Sequence, residues 1–197
     1  MSSVAVMPGM FYRASSFTSD LSSWQVGNVT DMNAVFAYAP TFDSDLSLWD
    51  VSSVIDMHGL FQAAVSFSGD VSTWNVGKVI NMDSLFSQAS SFTGDLSRWT
   101  VSSVIMMNEM FYQSAFAGDV SSWDVSSVTN MDRMFFENLH FNGDLSQWQV
   151  SSVTSMEAMF FAAVSFNQDL SKWDTSSVTN MAGMFMEASI FNGDISR

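Results

Sequence analysis

Residues 142–166, NGDLSQWQVSSVTSMEAMFFAAVSF, are one copy of a unit that recurs along the whole 197-residue chain. The Trp of the unit falls at 24, 49, 74, 99, 123, 148 and 173, and its Asp at 20, 45, 70, 95, 119, 144, 169 and 194. The step is 25 residues, with one step of 24 between Trp99 and Trp123. Self-similarity at a fixed period of this length predicts a solenoid, in which one unit cannot bury its apolar face alone and must stack on its neighbours. Like residues then pile into columns, Trp on Trp, Phe on Phe and Met on Met. Those columns account for the 18 Phe, 16 Met and 7 Trp as core, with no need of a cofactor.

The expected organisation is a single array over 1–197: a partial coil at 1–19, seven coils over 20–193, and a truncated coil at 194–197. Val4, Met7, Phe11, Ala14 and Phe17 already sit in the register of the second half of a unit. Neither end reads as the polar capping repeat that solenoids need. The expectation is a segment of a longer array, with end-to-end self-association possible at its uncapped faces.

Within one coil, residues 21–39 read LSSWQVGNVTDMNAVFAYA. Leu21, Trp24, Val26 and Val29 fit the L-x-x-L-x-L opening of a leucine-rich repeat. That pattern predicts a short parallel strand with Trp24 and Val26 inward and Ser23, Gln25 and Gly27 outward. Met32, Val35, Phe36 and Ala39 follow i, i+3, i+4, i+7, which predicts a helix of about two turns or a helical turn, with a 3₁₀ or irregular turn able to replace part of it. The residue before that face is Asp31, Asp56, Asn81, Asn130, Ser155 or Asn180, all good N-cap types, with Met106 the exception. Each 25-residue coil is thus expected to hold one short strand and one short helix, in a leucine-rich-repeat-like fold. The missing residue between Phe111 and Phe116, and Asn138-Leu139-His140 in the next copy, predict a local irregularity on the helical side of those two coils.

Apolar residues make up 47% of the chain, enough for a core and against disorder. The net charge of −14, with six Lys and Arg, argues against nucleic acid and anionic membrane surfaces as partners. The absence of Cys excludes disulfides and thiolate metal sites. The opening MSSVAVMPGMF lacks the basic and apolar regions of a signal peptide. No apolar stretch is long enough to span a bilayer.

The copies WDVSSVTNMDRMFF (123–136) and SFNQDLSKWDTSSVTNMAGMF (165–185) resemble the BspA-like leucine-rich repeats of bacterial surface proteins. They are close to a tandem repeat of about 26 residues that is also described as a domain of unknown function in mycoplasmas, with similar arrays in protists and algae. The resemblance covers nearly the whole chain. It implies a solenoid displayed on a cell surface or outside the cell, with adhesion or binding as its role. The chain departs from that family in its 25-residue period and in lacking an export signal, a lipid anchor or a wall-sorting motif.

Several columns are candidates for function. The complete Asp column places equivalent carboxylates about 4.8 Å apart, where two unit charges repel by about 1 kcal/mol in water. The structural reading is that each Asp closes a turn through backbone N–H bonds. The alternative is a row of Ca²⁺ held between coils, for which Asp70, Asp95, Asp119 and Asp144 are the candidates. On the expected outward strand face, Asp50, Asn75, Arg98, Thr100, Asp124, Gln149, Lys172 and Asp174 are candidate ligand contacts; plain solvation explains their variability equally well. Tyr112, Phe136, Phe161 and Met186 follow the core Phe in four consecutive copies, where earlier copies carry Ala37, Gln62 and Ser87. A widened core is the simpler reading of that strip, and a partner surface the alternative. His58 and His140 stand alone, and no phosphate loop, H-E-x-x-H motif or Ser/His/Asp grouping occurs, so no enzyme is expected. The functional expectation is a non-catalytic module that binds protein or glycan, without a cofactor. A calcium-binding or ice-binding array is the alternative, although irregular outward columns count against ice.

Overall fold

A computed structural model describes residues 3–196. Successive units lie side by side, each forming one coil. They are joined by parallel bridges that pair Val6 with Asp31, Asp31 with Asp56, Asp56 with Asn81, Asn81 with Met106, Met106 with Asn130, Asn130 with Ser155 and Ser155 with Asn180. Beside those bridges the N–H groups of Thr30, Ile55, Ile80, Ile105, Thr129, Thr154 and Thr179 each donate to the carbonyl of the equivalent residue one coil earlier, at 2.8–3.0 Å. This ladder of β-branched residues is the extended backbone of the stack.

The expected helix does not form; among the described residues none is helical. The segment is instead a run of consecutive tight turns. In residues 32–39 the N–H groups of Val35, Ala37 and Ala39 donate three residues back, while those of Met32, Ala34, Phe36 and Tyr38 donate to Asp56, His58, Leu60 and Gln62 of the next coil. Each coil carries two left-handed residues in this run, for example Ala34 (φ 54°) and Tyr38 (φ 57°). They stand at the third position of their turns, where a type II turn requires positive φ. The physical reason is hydrogen-bond economy. A two-turn helix leaves most of its terminal N–H and C=O groups unpaired, and helices this short are marginal. The turns hand alternate N–H groups to the neighbouring coil. The residues read as N-caps close these turns: the Oδ1 atoms of Asp31, Asp56, Asn81, Asn130 and Asn180 accept the backbone N–H two residues on, at 2.8–3.0 Å. Where Met106 and Ser155 offer no such acceptor, Asp83 and Asp132 of the preceding coil reach the N–H groups of Asn108 and Glu157.

The strand expected at Trp24–Val26 is also displaced. That stretch holds two turns, closed by Trp24 N–H on the Leu21 carbonyl and Val29 N–H on the Val26 carbonyl. The extended backbone lies further on, at the bridge column. The Trp side chains nevertheless point inward and tie coil to coil. The indole N–H groups of Trp49, Trp74, Trp99, Trp123, Trp148 and Trp173 donate to the carbonyls of Leu21, Leu46, Val71, Leu96, Val120 and Leu145, at 2.9–3.1 Å. Trp74 and Trp99 stack with ring centroids 6.4 Å apart.

Two Phe columns fill the centre. Within a coil the two rings pack face to face, as in Phe61 and Phe67 at 3.9 Å. Between coils each meets its equivalent, as in Phe61 and Phe86 at 5.6 Å and Phe67 and Phe92 at 5.9 Å. Met57, Met82, Met107, Met131 and Met156 are fully buried beside them.

The 24-residue step is repaired by polar groups. In regular coils the N–H of the second Phe donates three residues back, as Phe92 does to Ala89. In the short coil Phe116 N–H turns to Ser114 Oγ. The next coil carries a fully buried Asn138 in the Ala column. Its Nδ2 donates to the Phe116 carbonyl at 2.9 Å, and its Oδ1 accepts the N–H groups of His140 and Phe141 at 3.1 and 3.0 Å. The irregularity therefore falls in the two coils expected, as a buried amide plug in a turn rather than a defect in a helix.

Candidate interaction surface

Each carboxylate of the Asp column closes a turn. The Oδ1 atoms of Asp20, Asp45, Asp70, Asp95, Asp119, Asp144, Asp169 and Asp194 accept the backbone N–H of the Ser two residues on, at 2.8–2.9 Å. In the first seven that N–H, and then the Ser hydroxyl, hold the carboxyl below its usual range; at Asp194 the Ser196 hydroxyl leads. Neighbouring carboxylates push the other way, as Asp20 and Asp70 do on Asp45. Among the described residues no three Asp, Glu or His side chains gather into a cluster that could hold a metal ion.

These shifts set a pH dependence. A carboxyl depressed in the folded state stabilises the fold above its unfolded pKa, and that contribution disappears as pH falls through the folded value. The melting temperature is expected to hold from neutral pH to about pH 5 and to fall below about pH 4. Asp95→Asn, which keeps the turn acceptor, should blunt that acid loss; a thermal melt series from pH 7 to pH 3 reads both. Asp83 acts in the opposite sense, because burial raises its carboxyl despite the Asn108 hydrogen bonds.

The outward face expected on a strand is a row of turns. Asp50, Asn75, Asp124 and Asp174 accept the N–H two residues on through Oδ1, at 3.0–3.2 Å. Asn75, Arg98 and Thr100 come together around one open hollow beside Trp74. Asp50, Asp124, Gln149, Lys172 and Asp174 lie outside it, on other coils.

The aromatic strip is the best-formed feature of the surface. Tyr112 and Phe136 stack at 4.8 Å and 14°, and Phe136 and Phe161 at 4.5 Å and 6°. All three rings are half-buried, and Met186 extends the row as an exposed side chain. The three rings are thus partly covered, at a position where Ala37 and Ser87 of earlier coils are fully covered. Left-handed residues stand on either side of each ring, Glu109 and Gln113 about Tyr112, Arg133 and Glu137 about Phe136, and Ala158 and Ala162 about Phe161, so polar side chains edge the first two rings. On one side Gln88 Nε2 donates to Gln113 Oε1 at 2.9 Å, and Gln113 Nε2 to Glu137 Oε2 at 2.7 Å. On the other, Arg133 lies between Glu109 at 3.6 Å and Glu157 at 3.2 Å. Burial raises the Tyr112 phenol, and Glu137 and then Glu109 add to the shift.

A second apolar row was missed by sequence reasoning. Ile55, Ile80 and Ile105 are 45%, 40% and 41% exposed on three consecutive coils of the ladder. The signal was present as V-I-D-M, V-I-N-M and V-I-M-M, where the other full copies have Thr in place of Ile.

Among known proteins, one family model matches residues 5–118 and again 113–197. The family is described as Mycoplasma protein of unknown function, DUF285. No curated protein and no solved structure matches the chain.

Proposed function

The chain belongs to this family of unknown function, and on that premise we propose a non-catalytic binding module. In this reading it is a leucine-rich-repeat-like solenoid whose Tyr112–Phe136–Phe161 strip docks a protein partner. The observation that supports it is the half-buried ring stack, an ordered apolar row left partly uncovered while the Trp column and the two Phe columns of the same coils are buried. Protein is favoured over glycan for a geometric reason. A sugar packs against an open aromatic face, and in this stack neighbouring rings cover one another's faces, so that mainly edges are offered. The resemblance to BspA-like arrays supports action at a cell surface or outside the cell.

The test uses substitutions that the fold already contains. Phe136→Gln and Phe161→Ser place in later coils the side chains that Gln62 and Ser87 supply at the same position. A peptide-display library is selected on the wild type, and the recovered binders are measured on the double variant. At least a tenfold loss of affinity, about 1.4 kcal/mol, is expected. Binders that hold the two proteins equally would contradict the proposal.

A further inference from the structure

The partner's chemistry follows from what borders the strip, and this step rests on the strip reading above. We infer that the strip takes a basic amphipathic helix, with apolar residues on the rings and Lys or Arg on the flanking carboxylates. Glu137 stands on one flank and Glu109 and Glu157 on the other, against the single Arg133 that is shared between the latter two. These carboxylates are tethered in place, Glu137 by the Gln113 amide and the other two by Arg133. A partner's cations would therefore meet acceptors whose ordering cost is already met.

Charge also removes the competing occupants. The chain carries a net charge of −14, and a second copy would bring the same Glu rows against these. An acidic or neutral segment would leave unanswered the excess of three Glu over one Arg along the strip, and charge complementarity governs encounter and selection of partners.

The pitch of the strip selects the partner's conformation. Successive rings lie 4.8 and 4.5 Å apart. A helix rises about 1.5 Å per residue, so side chains three apart recur every ~4.5 Å. Side chains on one face of a strand recur every ~6.6 Å, out of step with the rings. Apolar residues at i, at i+3 and i+4 together, and at i+7 would thus fall near Tyr112, Phe136 and Phe161 respectively.

The test measures fluorescence anisotropy with labelled synthetic peptides. The probes are a helical Leu/Lys amphipath, the same pattern in Leu/Gln, the same pattern in Leu/Glu, and a scrambled Leu/Lys sequence without an apolar face. Each is titrated with wild type, with Glu109→Gln/Glu137→Gln, and with Phe136→Gln/Phe161→Ser. The Leu/Lys amphipath is expected to bind wild type at least tenfold tighter than the other probes, and each double variant should weaken it at least tenfold. If Leu/Gln binds wild type as tightly, and only the Phe variant loses it, the strip reading stands and the basic partner is wrong. If the Leu/Lys amphipath ignores the Phe variant, or fails to bind wild type, this inference is overturned.

Discussion

Asn138→Ala is expected to destabilise the protein by about 3–5 kcal/mol. The side chain is fully buried and satisfies three backbone groups: the Phe116 carbonyl in the short coil, and the N–H groups of His140 and Phe141 in its own. Phe116 and Phe141 are themselves fully buried, so no solvent replaces the partner of either, whereas His140 is exposed. A buried group left unpaired costs about 1–3 kcal/mol. Chemical denaturation of the variant reads the loss. A rescue makes the cause specific: one Ser inserted between Ala115 and Phe116 restores the 25-residue step, and Asn138→Ala should then cost no more than about 1 kcal/mol, the net value of an ordinary hydrogen bond. An unchanged cost in the lengthened chain would show that Asn138 does not act by repairing the short coil.

Trp99→Ala should cost at least as much, about 4–6 kcal/mol. The indole is 3% exposed, stacks on Trp74 at 6.4 Å and lies 6.2 Å from Phe86. Its removal leaves a cavity in a column whose neighbours are held by their own coils, and aromatic-to-alanine changes in cores cost about 3–5 kcal/mol. It also removes the bond from the indole N–H to the Val71 carbonyl, which keeps only the Trp74 N–H. Trp99→Phe separates the two contributions, since it retains most of the ring and loses the donor. The loss should appear in thermal melts as a drop of roughly 10 °C or more for the Ala variant. Because each coil contacts only its neighbours, the damage should centre on the coils flanking residue 99.

Much of this architecture was legible because each copy repeats the same demand. One buried Trp at a fixed step is ambiguous, but seven in register leave little choice but to stack. The local backbone was less legible. Met32, Val35, Phe36 and Ala39 are buried, as a helix would bury them, yet a run of tight turns buries the same positions. The preference for Asp or Asn before that face served equally for an N-cap and for an Asx turn. The discriminating signal was glycine. Gly9, Gly59 and Gly183 share one register position with φ of 61°, 57° and 65°, a place where a helix interior disfavours glycine and a left-handed turn residue favours it. The strand was misplaced for a similar reason. Trp24 and Val26 alternate like a strand, but the residues that pair between coils are the Asp31 column and its β-branched neighbours. The aromatic strip was visible as a departure from the repeat, at Tyr112, Phe136 and Phe161, but its edging by Glu109, Glu137 and Arg133 depends on left-handed turns that no helical reading contains.

Hydrogen exchange at the indole N–H groups, followed residue by residue by NMR, probes the joining of the coils most directly. Trp74, Trp99, Trp123 and Trp148 are expected to exchange orders of magnitude more slowly than an indole in water, each protected by a carbonyl of the coil before it. Exchange at the free-indole rate from any of these four would contradict the stack of coils from which the core, the polar repair and the aromatic strip all follow.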